Sequence, residues 1–155
     1  MKIELQKVTI DESEELQRLQ QLGFRALLEK YQDYDTNPGA ESLERIRQRF
    51  AYNTVDHYWI NLCAITIGCI RIPQKTNDVY RLSQMFILPE FQERGYAQQA
   101  IQRAEARYPL AKAWELDTIK QEPKLCHLYE KMGYRLTGGE HRIKPGMDLV
   151  DYAKP

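Results

Sequence analysis

Cysteine is scarce in this sequence: Cys63, Cys69 and Cys126 are the three in 155 residues. An odd number with no CxxC pair argues against both a disulfide framework and a structural zinc site. All three are expected to be buried small hydrophobes, and no metal site is expected. Net charge is missing too. Lys plus Arg and Asp plus Glu each number 22, so no general basic field invites nucleic acid. No apolar run is long enough to cross a bilayer, and the opening MKIELQKVTI lacks the uninterrupted apolar core of a secretion signal. A cytoplasmic protein that binds neither membrane nor nucleic acid is therefore expected. No repeat or low-complexity linker divides the chain. No Gly-Lys-Ser/Thr follows a glycine-rich loop, and no G-x-G-x-x-G lies near the first strand, which sets aside P-loop and dinucleotide-binding sites.

What remains is enough for one domain over residues 1–155, because 43% hydrophobic residues can fill a core at this length. KIELQKVTI alternates apolar Ile3 and Leu5 with Val8 and Ile10 around a slip in phase, suiting a first strand with a bulge. Asp11 with Glu14 reads as a capping-box-like helix start, with Leu16, Leu19, Gly23 and Leu27 on one face. Asn37-Pro38-Gly39 breaks that helix, and Ser42 starts another with Leu43, Ile46 and Phe50 inward. HYWINLCAITIGCIRI predicts two antiparallel strands, although no Asn-Gly or Asp-Gly marks the turn. VYRLSQMFIL predicts a strand, Arg94 to about Tyr108 a helix, AWELDTI a strand and EPKLCHLYEKMG a helix, with Pro123 in its first turn and Gly133 past its end. Two tail strands surround Lys144-Pro145-Gly146. Strands and helices in this order predict an α/β (α+β) fold: one mixed sheet of about seven strands with four helices on its two faces.

The junction LPEFQERGYAQQAI carries the chemistry. Pro89 cannot donate to a sheet ladder, so it ends strand pairing and throws the chain outward after Leu88. The helix then begins with unsatisfied N–H groups. Gly95 has no Cβ and Ala97 is nearly as small, so QERGYA can wrap its amides around an anion, for which a diphosphate is the natural guest. Behind them Ala97, Ala100, Ile101 and Ala104 form a small-residue stripe that lets the helix lie close on the sheet, with Gln98, Gln99, Gln102 and Arg103 facing away.

This stretch resembles the acetyl-CoA motif of the GNAT superfamily of N-acetyltransferases, Q/R-x-x-G-x-G/A, matched by Gln92, Gly95 and Ala97. The downstream LYEKMGY, Leu128 to Tyr134, resembles the family's last helix and following strand, and the element order resembles the GNAT fold over nearly the whole chain. The resemblance implies a mostly antiparallel central sheet with acetyl-CoA, the co-substrate, in a splay between the fourth and fifth strands. Backbone groups of Met85, Phe86 and Ile87 would pair with the pantetheine arm, and a main-chain N–H there would polarise the thioester carbonyl. The amides of Glu93, Arg94, Gly95, Tyr96, Ala97 and Gln98 would hold the diphosphate. Glu122 departs from the family, standing where many members carry an asparagine that contacts the cofactor. Leu125 replaces a frequent alanine.

The implied chemistry is direct attack of a neutral amine on the thioester, with no covalent enzyme intermediate. An alkylamine is mostly protonated near neutral pH, which calls for a base, whereas a phenol with an ordinary pKa of about 10 keeps its proton. The family's pattern places Tyr129 as the acid that protonates the departing thiolate. Leu125, Leu128, Tyr129 and Met132 also form one helical stripe, so packing alone is the competing reading. Asp117 is the candidate base, directly or through water, with Glu115 on the same strand face. His57, His127 and His141 are weaker candidates, and Cys126 has no base paired with it in the sequence.

Acceptor choice is expected in the first two helices and their connection. Tyr31, Tyr34 and Tyr52 offer aromatic surface and Asp33 with Asp35 negative charge, which suits a cationic amine; a merely solvated loop fits the same residues. Arg81 and Arg71 suit a carboxylate instead. Polyamines, aminoglycosides, amino acids and peptide N-termini remain open as small-molecule or peptide amine acceptors. The competing class is a catalytically weak acyl-CoA-binding sensor or scaffold on the same fold. A homodimer through the final strands is an open expectation.

Overall fold

A computed structural model describes residues 2–155. The chain runs β1 (Ile3–Lys7), α1 (Ser13–Gly23), α2 (Arg25–Tyr31), α3 (Leu43–Arg49), β2 (Val55–Leu62), β3 (Ile65–Pro73), β4 (Val79–Arg81), β5 (Ser83–Ile87), α4 (Tyr96–Arg107), β6 (Ala113–Ile119), α5 (Pro123–Lys131), β7 (Arg135–Lys144) and β8 (Met147–Lys154). The strands form two four-stranded sheets, ordered β1-β2-β3-β5 and β4-β6-β8-β7. All pairs are antiparallel except β4 with β6.

The mixed, mostly antiparallel α/β architecture is the expected one, with differences of detail that have local causes. VYRLSQMFIL is two strands rather than one. Leu82 still donates its N–H to the Glu115 carbonyl at 3.1 Å, but Gln84 turns left-handed at φ 48° and the register against β3 shifts between Cys69 and Arg71. The chain thus leaves β6 and crosses to β3. Three early helices replace the expected two, because the first breaks at Phe24 (φ −105°, ψ 4°) well before Asn37-Pro38-Gly39. The first strand has no bulge: it pairs continuously with β2 and ends at Lys7, while Ile10 is exposed. The capping pair is Thr9 with Glu12, whose carboxylate accepts the Thr9 N–H at 2.9 Å, two residues before the expected one. Ser42 caps α3 as expected, accepting the Arg45 N–H.

Alternation along the strands sends side chains to two cores. On one face Ile60, Ile70, Trp114 and Leu116 pack with Ala100, Ile101 and Ala104 of α4 and Tyr129 of α5. On the other, Trp59, Cys69 and Phe86 pack with Leu16, Leu19 and Phe24 of the first helices and Ile46 of α3. The alanine stripe works as expected: Ala100, Ile101 and Ala104 are fully buried. Gln99 does not simply face away, since its Oε1 accepts the Ile3 N–H. Of the cysteines only Cys69 is buried; Cys63 is exposed at the β2–β3 turn and Cys126 is intermediate. Cys63 supplies the left-handed residue of that turn (φ 56°), a place more commonly given to Gly or Asn.

β5 can lie against β3 only because residue 68 is glycine, since a Cβ there would stand 2.0 Å from the Phe86 carbonyl oxygen. That approach draws β5 away from β6. From Ser83 and Leu116 onward the two strands belong to different sheets, and their facing edges pair with no strand.

Candidate active site

The gap between β5 and β6 is lined by main-chain edges with free hydrogen-bonding capacity, which suits an extended chain bearing amides. Met85, Phe86 and Ile87 lie on its β5 edge. The Phe86 ring turns away into the first-helix core, 5.2 Å from the Phe24 ring, and its carbonyl oxygen faces Gly68 of β3, so neither is offered to the gap. Ile87 already receives a hydrogen bond at its carbonyl from Gln92 Nε2, at 2.8 Å. Gln92 thereby braces the loop between β5 and α4, a use of its side chain that its position in the motif does not reveal.

At the mouth of the gap stands the start of α4. Glu93 (φ 61°) and Gly95 (φ 81°) are both left-handed, a conformation that curls successive N–H groups toward one point. Among the described residues, the N–H groups of Glu93, Arg94, Gly95, Tyr96, Ala97 and Gln98 meet no protein acceptor, and no side chain caps the helix. The helix's own ladder begins only with Gln99 N–H on the Gly95 carbonyl. A Cβ on Gly95 would meet nothing within 4 Å, so the space before it is open. Six consecutive amides at the positive end of a helix form an anion cradle, each favouring a charge there by about 0.3–1 kcal/mol. Tyr96 is buried in the core behind. The Glu93 side chain leaves the cradle to pair with Lys124 at 2.8 Å, and Arg94 is exposed.

Tyr129 stands on α5 and belongs to the core that α4 and α5 share with the strands. Its ring is buried and stands edge-on to Tyr134, 6.2 Å away. Among the described residues its hydroxyl makes no hydrogen bond, yet the sealed and unpartnered polar atoms there are His57 Nε2 and Arg71 Nε only. The hydroxyl therefore opens onto accessible space. Burial, with the negative charge of Asp117 nearby, pushes this phenol up to about 12. Asp117 is exposed on β6 and pairs with Arg81 at 3.4 Å. Arg81 also faces Glu115 at 3.6 Å, so its charge is matched by carboxylates of its own sheet.

The substrate-side residues divide. Tyr31 is held: its hydroxyl donates to Glu122, which also pairs with Lys30 at 2.6 Å. Burial raises the Glu122 carboxyl, but these two donors carry it net below its usual range. The residue that departs from the family pattern thus ties the end of α2 to the start of α5. Tyr34 is exposed and donates to Gln32 at 3.1 Å. Asp33 is buried, not offered to solvent; it caps its own turn by accepting from Thr36.

Sequence reading did not find the polar cluster between α1, α3 and β3. Glu41 accepts both terminal nitrogens of Arg49, Gln20 at 3.1 Å and Gln84 at 3.3 Å. Beside it Arg71 makes no ion pair among the described residues, and burial followed by the charge of Arg49 brings it down to about 10. His57 stacks on Phe50 with centroids 4.5 Å apart; burial, then Arg71 and Arg49, lower it to about 4, so it is neutral near pH 7. The members of the cluster come from well-separated segments, and no local spacing could have announced them.

A family model described as Acetyltransferase (GNAT) domain matches residues 29–155. No curated protein sequence matches the chain. Among solved structures, an acetyltransferase from Thermus thermophilus superposes with a TM-score of 0.76 at 17% identity, covering 100% of this chain and 97% of that one. A Vibrio cholerae spermidine N-acetyltransferase in complex with CoA and spermine gives 0.77 at 19%, covering 98% and 94%. RimL, a ribosomal L7/L12 alpha-N-protein acetyltransferase in complex with coenzyme A, gives 0.76 at 16%, covering 99% and 94%. At such identities the likeness is one of fold.

Proposed function

Because the chain belongs to the GNAT acetyltransferases, we propose that it moves the acetyl group of acetyl-CoA to a primary amine of a small molecule or peptide by direct attack. The proposal takes the whole chain, 1–155, as one working domain. The observation that carries it is the run of six unaccepted amides at the head of α4, opening beside the unpaired edges of β5 and β6. These features fit the two ends of one ligand: a diphosphate for the cradle, and an amide-bearing arm for the gap.

The roles of the chain's own groups follow from their places. The amides of Glu93 through Gln98 hold the diphosphate. Main-chain groups of Met85 and Ile87, the neighbours of Phe86 on β5, orient the arm and present an N–H to the thioester oxygen as it gains charge. The nitrogen lone pair forms the new N–C bond as the C–S bond breaks; the bonding pair leaves on sulfur, and one proton passes in net from nitrogen to sulfur. Tyr129, its phenol pushed up to about 12 and so protonated near neutral pH, is the donor to that sulfur in this reading. Asp117, tied to Arg81, takes the nitrogen's proton through water. With Tyr129 on the α5 side of the strands and Asp117 on the opposite face, the acceptor enters from the side of the first three helices, where Tyr31, Tyr34 and Arg81 lie.

Calorimetry with CoA and a free-thiol assay with acetyl-CoA and an amine panel test this reading. CoA uptake with amine-dependent thiol release is the expected result. Uptake that no amine converts into release would favour the sensor or scaffold reading, and no uptake would sink both. Among the described residues no helix is long and apolar enough to cross a membrane.

A further inference from the structure

We propose that Arg71 and His57 form a carboxylate-binding subsite for the acceptor, so that the acetylated amine belongs to a molecule that also carries a carboxylate, as an amino acid does. This rests on the acetyl-transfer reading above.

Three observations carry it. First, among the described residues His57, only 5% exposed, has its Nε2 sealed without a partner, and so has Arg71 its Nε. Two unmet nitrogens on one side of a sheet are uncommon, because a buried polar group without a partner is destabilising. Second, both residues line the same cavity of about 10 Å³, with Gln20 and Gln84 on its wall. That volume admits about one oxygen atom. A carboxylate at its mouth would meet the terminal nitrogens of Arg71, which are not sealed, while Arg71 Nε and His57 Nε2 stay in the wall behind them. Third, the charge beside it is unbalanced. Glu41 is already shared among Arg49, Arg45, Gln20 and Gln84, and Arg81 is answered by Glu115 and Asp117. Within this cluster, among the described residues, Arg71 is the cation without an ion pair.

Position links the subsite to the reaction. Arg71 pairs in register with Ser83, the first residue of β5 after the chain has left β6, so the guanidinium sits where the gap opens and on the acceptor side. A polyamine would have to bring a cation toward Arg71, Arg49 and Arg45 at once. An amino acid would bring the anion that they lack.

The minimal probes are acetate and its neutral isostere acetamide, followed by the ¹⁵N–¹H resonance of the Arg71 side-chain Nε–H, assigned by Arg71→Lys. Acetate is expected to move that resonance and acetamide to leave it in place. In turnover, amino acids should exceed their own amides in kcat/KM by about tenfold or more, as a charge-assisted hydrogen bond implies. Arg71→Met should abolish the preference while CoA affinity, set in the cradle, stays unchanged and reports an intact fold. An unmoved resonance, or equal use of amides and polyamines, overturns the subsite. If acetate fails to move it while other amines are acetylated, the subsite falls and the acetyltransferase stands. If acetate moves it and nothing is acetylated, the transfer reading falls and the anion site stands.

Discussion

Replacing Tyr129 by Phe removes one oxygen atom from the centre of the proposed chemistry and nothing else. The hydroxyl has no partner among the described residues, while the ring is buried and packs on Tyr134. Packing should therefore survive, with a change in stability below about 1 kcal/mol at pH 8. Loss of a positioned proton donor should lower kcat by about 10²- to 10⁴-fold and leave KM for acetyl-CoA unchanged. Single-turnover thiol release separates this chemical step from product release. The same substitution carries a pH signature of opposite use. The folded-state value of about 12 lies above the ordinary 10.0, so the stability from keeping this phenol protonated is complete below pH 10 and is lost as pH rises toward 12. Two units correspond to about 3 kcal/mol. Urea unfolding at pH 8 and pH 11.5 should show wild type losing more stability than Tyr129→Phe, over and above the loss both share through Tyr108, Tyr134 and Tyr152, whose phenols are also raised. A Phe variant with full kcat would refute the acid. A variant that loses activity and pH 8 stability together would assign Tyr129 to packing.

Gly95→Ala places a Cβ in the open space of the cradle and forces a left-handed alanine at φ 81°; strain of about 1 kcal/mol should lower Tm by a few degrees, and calorimetry should find CoA bound about tenfold more weakly or worse. Gly68→Ala sets a Cβ 2.0 Å from the Phe86 carbonyl oxygen and should push β5 off β3, costing about 2 kcal/mol or more in chemical unfolding. The imidazole of His57, held down at about 4 against an ordinary 6.5, should stay neutral in NMR titration until well below pH 5. Its contribution to stability is complete above pH 6.5 and is lost as pH falls toward 4, a loss that His57→Gln should reduce in urea melts at pH 7 and pH 4.5.

Fold class was legible because its signals are local. Alternation in AWELDTI, the proline and glycine around α5, and the Pro89 exit before α4 each restrict a few neighbouring dihedrals. The cradle was legible for the same reason, since its six amides are consecutive residues. The split of VYRLSQMFIL was not legible. No proline or glycine interrupts it, and what divides it is competition between two partners, β6 for Leu82 and β3 for Ser83 onward. Cys63 misled because burial was inferred from residue type, whereas a tight hairpin between two apolar strands put it at the turn. Asp33 misled the other way: a carboxylate taken for substrate charge is spent on its own turn.

By itself the sequence determined where most strands and helices lie and the run of unaccepted amides at the start of α4. These depend on sterics and hydrogen bonds between residues near one another in the chain. Only the tertiary structure decided which charges are answered. Arg81 and Arg71 read alike as strand arginines, yet among the described residues Arg81 pairs with two carboxylates and Arg71 makes no ion pair. Pairing between residues so distant in the chain depends on sheet register and helix docking, and a linear pattern carries no record of either.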